Sequence, residues 1–183
     1  MAIEYSRREL AERLARTPEE VVSKSGRIQH WTEKGLFLLL GDKHVGRGRA
    51  RSYPAAALWL AAFFDHCADR GATIGQMAYW APPFMHFDHR EQVKASILEL
   101  AKKHPGIEPA INTLEAGLKP LDDALAGKAV YMMIREPRPS TSDIPILEFS
   151  NEPVVPPEWP GASIFNLTAI FDRVRGNFFG HDE

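Results

Sequence analysis

The sequence predicts a mainly α-helical protein that ends in a small α+β part, and three observations predict it. Apolar residues recur at helical spacing through most of the chain up to Leu125. Helix-start signals, a Ser-x-x-Glu box and a Thr-Pro pair followed by acids, stand in front of the first two stripes. From Lys128 onward the period shortens, and runs of strand formers bounded by glycine and proline take over. The chain of 183 residues is 44% hydrophobic and 25% charged, a globular composition that excludes collagen-like and low-complexity classes.

The elements follow in order. Ser6 and Glu9 form a capping box, and Leu10 and Leu14 with Ala11 and Ala15 make an apolar stripe, giving a first helix from about Arg7 to Arg16. Thr17-Pro18-Glu19-Glu20 starts a second helix, with threonine as N-cap, proline at the first helical position and acids at the positive end. On a helical wheel Val21, Ser25, Ile28 and Thr32 share the sector expected to pack. Lys24, Arg27, His30, Trp31 and Lys34 fill the neighbouring, mostly cationic arc. Gly26 leaves two readings open, a continuous helix or a break between Ser23 and Gly26 with a restart, and Ile28 to Lys34 is helical in both. Gly35 supplies the stop.

Leu36 to Leu40 reads as a strand, Gly41 to Gly48 as a loop, and Ala50, Ser52 and Tyr53 as the return, together a hairpin. Pro54 opens a third helix, whose Ala57, Leu58, Ala61, Ala62, Phe64 and Asp65 form a broad buried face before Arg70-Gly71. Thr73 and Ile74 begin a further element.

Charge is unevenly placed. Residues 1–53 carry 11 Lys or Arg against 7 Asp or Glu, so a total of -2 hides a positive N-terminal third and an acidic remainder. Lys43, Arg47, Arg49 and Arg51 lie in one stretch without an acid, interleaved with Gly46 and Gly48. By itself such a stretch is a solvated hairpin tip.

The order of helix, basic helix, hairpin with a basic tip and helix resembles the winged helix-turn-helix domain of the MerR family of bacterial transcription regulators. The matching residues are Glu9-Leu10-Ala11, Ile28-Gln29-His30-Trp31-Thr32-Glu33-Lys34-Gly35-Leu36, Arg51-Ser52-Tyr53, and Arg70-Gly71 before Ile74, spread over residues 4–78. Two departures stand out: His30-Trp31 replaces the family's usual two aromatic residues, and the stretch from Glu9 to Ile28 is about seven residues longer than usual. The resemblance implies sequence-specific binding of double-stranded DNA, with a recognition helix in the major groove and a basic wing on the phosphates. On that reading Lys24, Arg27, Gln29 and His30 are base-contact candidates, and Lys34, Lys43, Arg47, Arg49 and Arg51 are phosphate-contact candidates. Trp31 is expected in the core. The competing reading is a protein-interaction adaptor that keeps the helix-turn-helix shape without reading DNA.

The rest of the chain is organised differently from that family. Pro82-Pro83 interrupts the chain where the family continues into a long dimerisation helix. A helix from Asp88 to Lys103 places Val93, Ile97 and Leu100 at seam spacing, which suggests a homodimer. Glu108 to Leu125 continues the helical pattern, and Gly117 and Pro120 divide it into two short helices. Ala129 to Ile134, Ile144 to Phe149 and Ser163 to Asn166 read as strands, and Leu167, Ile170, Phe171 and Val174 as the stripe of a final helix ending near Gly176. Three parts result, a DNA-binding head over 1–78, a helical connecting region over 84–126 and an α+β unit over 127–183.

No catalytic signature is present, so the chain is not expected to be an enzyme, and no cofactor is implied. Met85-His86-Phe87-Asp88-His89 has two imidazoles and a carboxylate, yet the spacing matches no specific metal site and Asp88 suits a helix cap, so no metal is expected. Cys67, the lone cysteine, falls within the apolar third helix and suits a structural role in a reducing cytoplasmic setting, there associated with the nucleoid if the chain binds DNA. The longest apolar run, Pro54 to Phe64, is 11 residues, against the roughly 20 needed to span a bilayer, so no membrane partner is expected. A small-molecule or protein effector, the operator and the direction of regulation leave no mark in the sequence.

Overall fold

The structure, a computed structural model, describes residues 4–37, 39, 51–84, 90–107, 109–135, 146–154 and 162–176. It is mainly helical with a small β part, as the composition of its elements predicts. The chain divides into two compact units, Met1–Asp88 with Arg173–Glu183, and His89–Asp172. The second unit takes in most of the expected helical part and the expected α+β part as far as Asp172. No helix among the described residues is long and apolar enough to cross a membrane.

The N-terminal unit contains β1 (Glu4–Ser6), α1 (Arg7–Leu14), α2 (Glu20–Glu33), β2 (Ser52–Pro54), α3 (Ala57–Ala68) and α4 (Ile74–Trp80). The Ser6 box is formed: the Glu9 N–H donates to Ser6 Oγ at 3.2 Å and the Ser6 N–H donates to Glu9 Oε2 at 2.6 Å. Thr73 and Gln76 make a second box at the start of α4. Of the two readings left open by Gly26, the structure has the continuous helix, and Gly26 is exposed with nothing within 4 Å of where a Cβ would sit.

β2 pairs antiparallel with β1, Tyr53 opposite Tyr5. The expected partner, Leu36 to Leu40, is not a strand at 36, 37 or 39; Leu38, Leu40 and the loop through Ala50 lie outside the described residues. Pro54 ends β2 opposite Glu4 instead of opening α3, which corrects the expected helix start to Ala57. Proline has no N–H to give a ladder, and the end of an edge strand tolerates that. The Tyr53 ring is fully buried, and its hydroxyl meets the Thr32 hydroxyl at 2.9 Å, which ties β2 to α2.

The core of this unit is aromatic. Trp31 meets Phe64 edge-on at 5.7 Å, Phe37 meets Tyr53 at 5.8 Å, and Phe63 stacks on Phe84 at 4.8 Å. Leu10 and Leu14 of α1, Ile28 of α2 and Leu58 of α3 are buried with them.

The second unit contains α5 (Arg90–Ala101), a single 3-10 turn (Pro105–Ile107), α6 (Pro109–Leu125), β3 (Tyr131–Arg135), β4 (Ile146–Ser150) and β5 (Ser163–Asn166), then most of α7 (Leu167–Gly176). β3 is central in an antiparallel sheet of order β4-β3-β5, with Met132 opposite both Phe149 and Phe165. α6 runs unbroken through Gly117 and Pro120, which corrects the expected pair of short helices. An interior proline costs about 3 kcal/mol, and here the continuous stripe of buried Leu118, Leu121 and Ala124 offsets it. Asp123, paired with Lys119 and with Lys128, secures the last turn.

Arg90 reaches Asp122 at 2.7 Å and Lys94 reaches Glu115 at 2.6 Å, so this side of α5 is turned to α6. Val93 and Ile97, expected at a dimer seam, share that side and are half-buried, whereas Leu100 is 50% exposed. α7 begins where the sequence places it: Asn166 Oδ1 accepts from the Ala169 N–H at 2.9 Å as a cap.

Candidate nucleic-acid interface

α2, the helix expected to read DNA, carries its cations on the side that meets α3. Asp65 of α3, four residues before Asp69 at the helix's C-terminal cap, is fully buried. Lys24 and Arg27, three apart on α2, face these two acids because both spacings keep side chains on one side of a helix. Lys24 Nζ donates to both Asp65 oxygens at 2.8 Å. Arg27 Nη1 donates to Asp65 Oδ1 at 2.8 Å and to Asp69 Oδ1 at 2.7 Å. Arg173, in the last turn of α7, donates through Nη2 to Asp65 Oδ2 at 3.2 Å.

A carboxylate withdrawn from water needs such company, since its hydration is replaced only by charge-assisted hydrogen bonds. The three cations outnumber the two carboxylates, which leaves the cluster one positive charge in excess. The Asp69 hydrogen bond outweighs burial and raises the Arg27 guanidinium above its ordinary value. Burial pushes the Asp69 carboxyl up, but the Arg27 hydrogen bond and the charges of Lys24, Arg27 and Arg173 outweigh it and hold the group below the usual carboxylate range. Next to them, burial first and then the charges of Arg70 and Arg173 lower His66, favouring neutral imidazole.

The wheel is thereby corrected at Lys24, while Trp31, which shares that arc, packs in the core as expected. Lys24, Ile28, Trp31 and Thr32 form the buried side of α2, so Lys24 points into the unit and not toward a groove. Trp31 is in the core, 2% exposed. Arg27 is half-buried and ion-paired. Gln29 and His30 are exposed; Gln29 accepts from Arg7 Nη1 at 2.6 Å and donates to Glu33 at 2.8 Å. Lys34 is exposed just past α2, and Arg51 is half-exposed just before β2. Lys43, Arg47 and Arg49 lie outside the described residues, as do His86, Asp88 and His89. Among the described residues, no group of three or more His, Cys, Asp or Glu is placed to hold a metal.

Sequence reasoning missed Asp69, Arg173 and Arg7 altogether. For Asp65 a signal existed, an acid inside the longest apolar helix, because such an acid requires a cationic partner from elsewhere in the chain. Two residues on from it, Cys67 is fully buried and its thiol is pushed up to about 12 by that burial. It should therefore resist iodoacetamide at pH 8 in the folded protein and react once denatured; rapid labelling of the native chain would contradict this placement.

No protein-family model matches the chain, and no curated protein matches it.

Proposed function

We propose that the chain is a transcription regulator that binds double-stranded DNA through its N-terminal unit, as a homodimer on a two-fold site. The observation that carries the reading is the acid-free basic stretch Lys43, Arg47, Arg49 and Arg51, which lies in the sequence between α2 and β2, just after the packed helix pair α1 and α2. Gln29, His30 and Lys34 extend the exposed polar surface at the end of α2 nearest that stretch in sequence. Binding is led by phosphate contacts, with Gln29, His30 and a released Arg27 left to read bases.

The test is salt-dependent retention of duplex DNA. Replacing Arg47 and Arg49 together by alanine should weaken binding to every sequence alike. It should lower the slope of log affinity against log salt by up to about 2, at about 0.9 per phosphate neutralised. An unchanged slope would remove the basic stretch from the interface.

One observation favours a second reading, a protein-interaction adaptor. The outer stripe of α2, Val22, Gly26, Gln29 and Glu33, is exposed, holds one acid and no cation, and leaves Val22 82% exposed. A chain that ignores DNA at low salt, and loses capture of a protein partner on Val22→Glu, fits the adaptor reading.

A further inference from the structure

We propose that Asp69 is an intramolecular stand-in for DNA, holding Arg27 off the duplex so that random sequence is bound weakly and only a site offering Arg27 more than a phosphate draws it out. The inference rests on the DNA-binding reading above and adds a gate to it.

The cluster is layered in a way that makes Arg27 its releasable member. Asp65 is 0% exposed and Lys24 9%, whereas Arg27 is 37% exposed and Asp69 40%, so the Arg27–Asp69 pair forms the solvent edge. If Arg27 leaves, Asp65 keeps Lys24 on both oxygens at 2.8 Å and Arg173 on Oδ2 at 3.2 Å. No buried charge is stranded. If Lys24 leaves, the buried carboxylate loses the one cation that contacts both its oxygens and is itself buried, so Lys24 is a structural member and Arg27 a surplus one.

The chemistry of the exchange is matched. A carboxylate and a phosphate both present anionic oxygens to a guanidinium, so a DNA phosphate gains about what Asp69 gives up. A guanine edge adds two directed acceptors that Asp69 cannot imitate through the single 2.7 Å contact it makes with Arg27. Competition from Asp69 therefore subtracts from non-specific binding more than from specific binding, which is discrimination by penalising the wrong partner.

The experiment uses the full chain and random-sequence duplex DNA. Asp69→Asn keeps the shape and removes the charge, and its exposed position lets the variant fold, which circular dichroism checks. Asp69→Asn should bind random DNA about tenfold more tightly at low salt, the range of one charge-assisted hydrogen bond released. Its salt slope should steepen by about 0.9 as Arg27 takes up one phosphate. Both gains should vanish when Arg27→Gln is added, which a general change in surface charge would not do. A wild type that binds DNA together with an Asp69→Asn of equal affinity and slope overturns the gate alone, as does a gain that survives Arg27→Gln. DNA binding that appears only in Asp69→Asn supports the gate in its strongest form. Failure of both proteins to bind at any salt overturns the DNA reading and the gate with it.

Discussion

Replacing Asp65 by alanine is expected to destabilise the N-terminal unit by about 3–5 kcal/mol, a large share of the 5–15 kcal/mol that holds a typical domain together. The carboxylate is fully buried and meets Lys24, Arg27 and Arg173 within 3.2 Å. Of the three, Lys24 has only 9% of its side chain exposed, so without Asp65 its ammonium is left dry and unpaired. Arg27 retains Asp69, and Arg173 is 22% exposed and can turn outward, so Lys24 carries most of the loss. Asp65→Leu combined with Lys24→Met should recover much of the stability, because removing both charges restores an apolar contact between α2 and α3. Urea unfolding of the two variants decides the matter. A loss below about 1 kcal/mol for Asp65→Ala, with the denaturant slope unchanged, would mean that water reaches the cluster and that the ion pairs contribute little.

The same cluster shows what sequence reasoning reaches and what it does not. Local signals were legible: the Ser6 box, the strand Ser163–Asn166 and the helix Leu167–Gly176 stand where pattern and capping place them, because each is decided by residues within a few positions. Asp65 was legible too, as part of the buried side of α3. Its partners were not, since Lys24 lies 41 residues away and Arg173 lies 108 away, and a helical wheel carries no information on what a neighbouring helix offers. The wheel placed Lys24 in the mostly cationic arc beside the packing sector, although α3 brings its acids to that arc. Pro120 failed in the opposite sense: a local rule predicted a break, and burial of Leu118, Leu121 and Ala124 on one continuous side overrode it. β1 escaped notice because three residues carry no period, and its pairing with β2 spans the whole helix pair.

Phe63→Ala should cost about 3–5 kcal/mol, through lost burial and an unfilled cavity. Phe63 was not assigned to the buried side of α3, yet it is fully buried along with Phe64, Leu58, Ala61 and Ala62. A helix apolar on nearly all sides is a central one, and α3 holds that place in the N-terminal unit. The Phe63 ring stacks on Phe84 at 4.8 Å and meets Trp80 edge-on at 6.3 Å, so it joins α3 to the end of α4 and the segment after it. Phe64, on the adjoining side, meets Trp31 of α2 and Phe37. Truncation at Phe63 therefore loosens α4, and truncation at Phe64 would loosen α2 and with it the Arg27 pairing. Phe63→Leu should cost less than about 1.5 kcal/mol, since much of the volume is kept. Thermal and denaturant unfolding of the pair gives the comparison. If Phe63→Ala loses under about 2 kcal/mol while its spectrum remains native, Trp80 and Phe84 have closed over the gap, and α4 is held by contacts other than this ring.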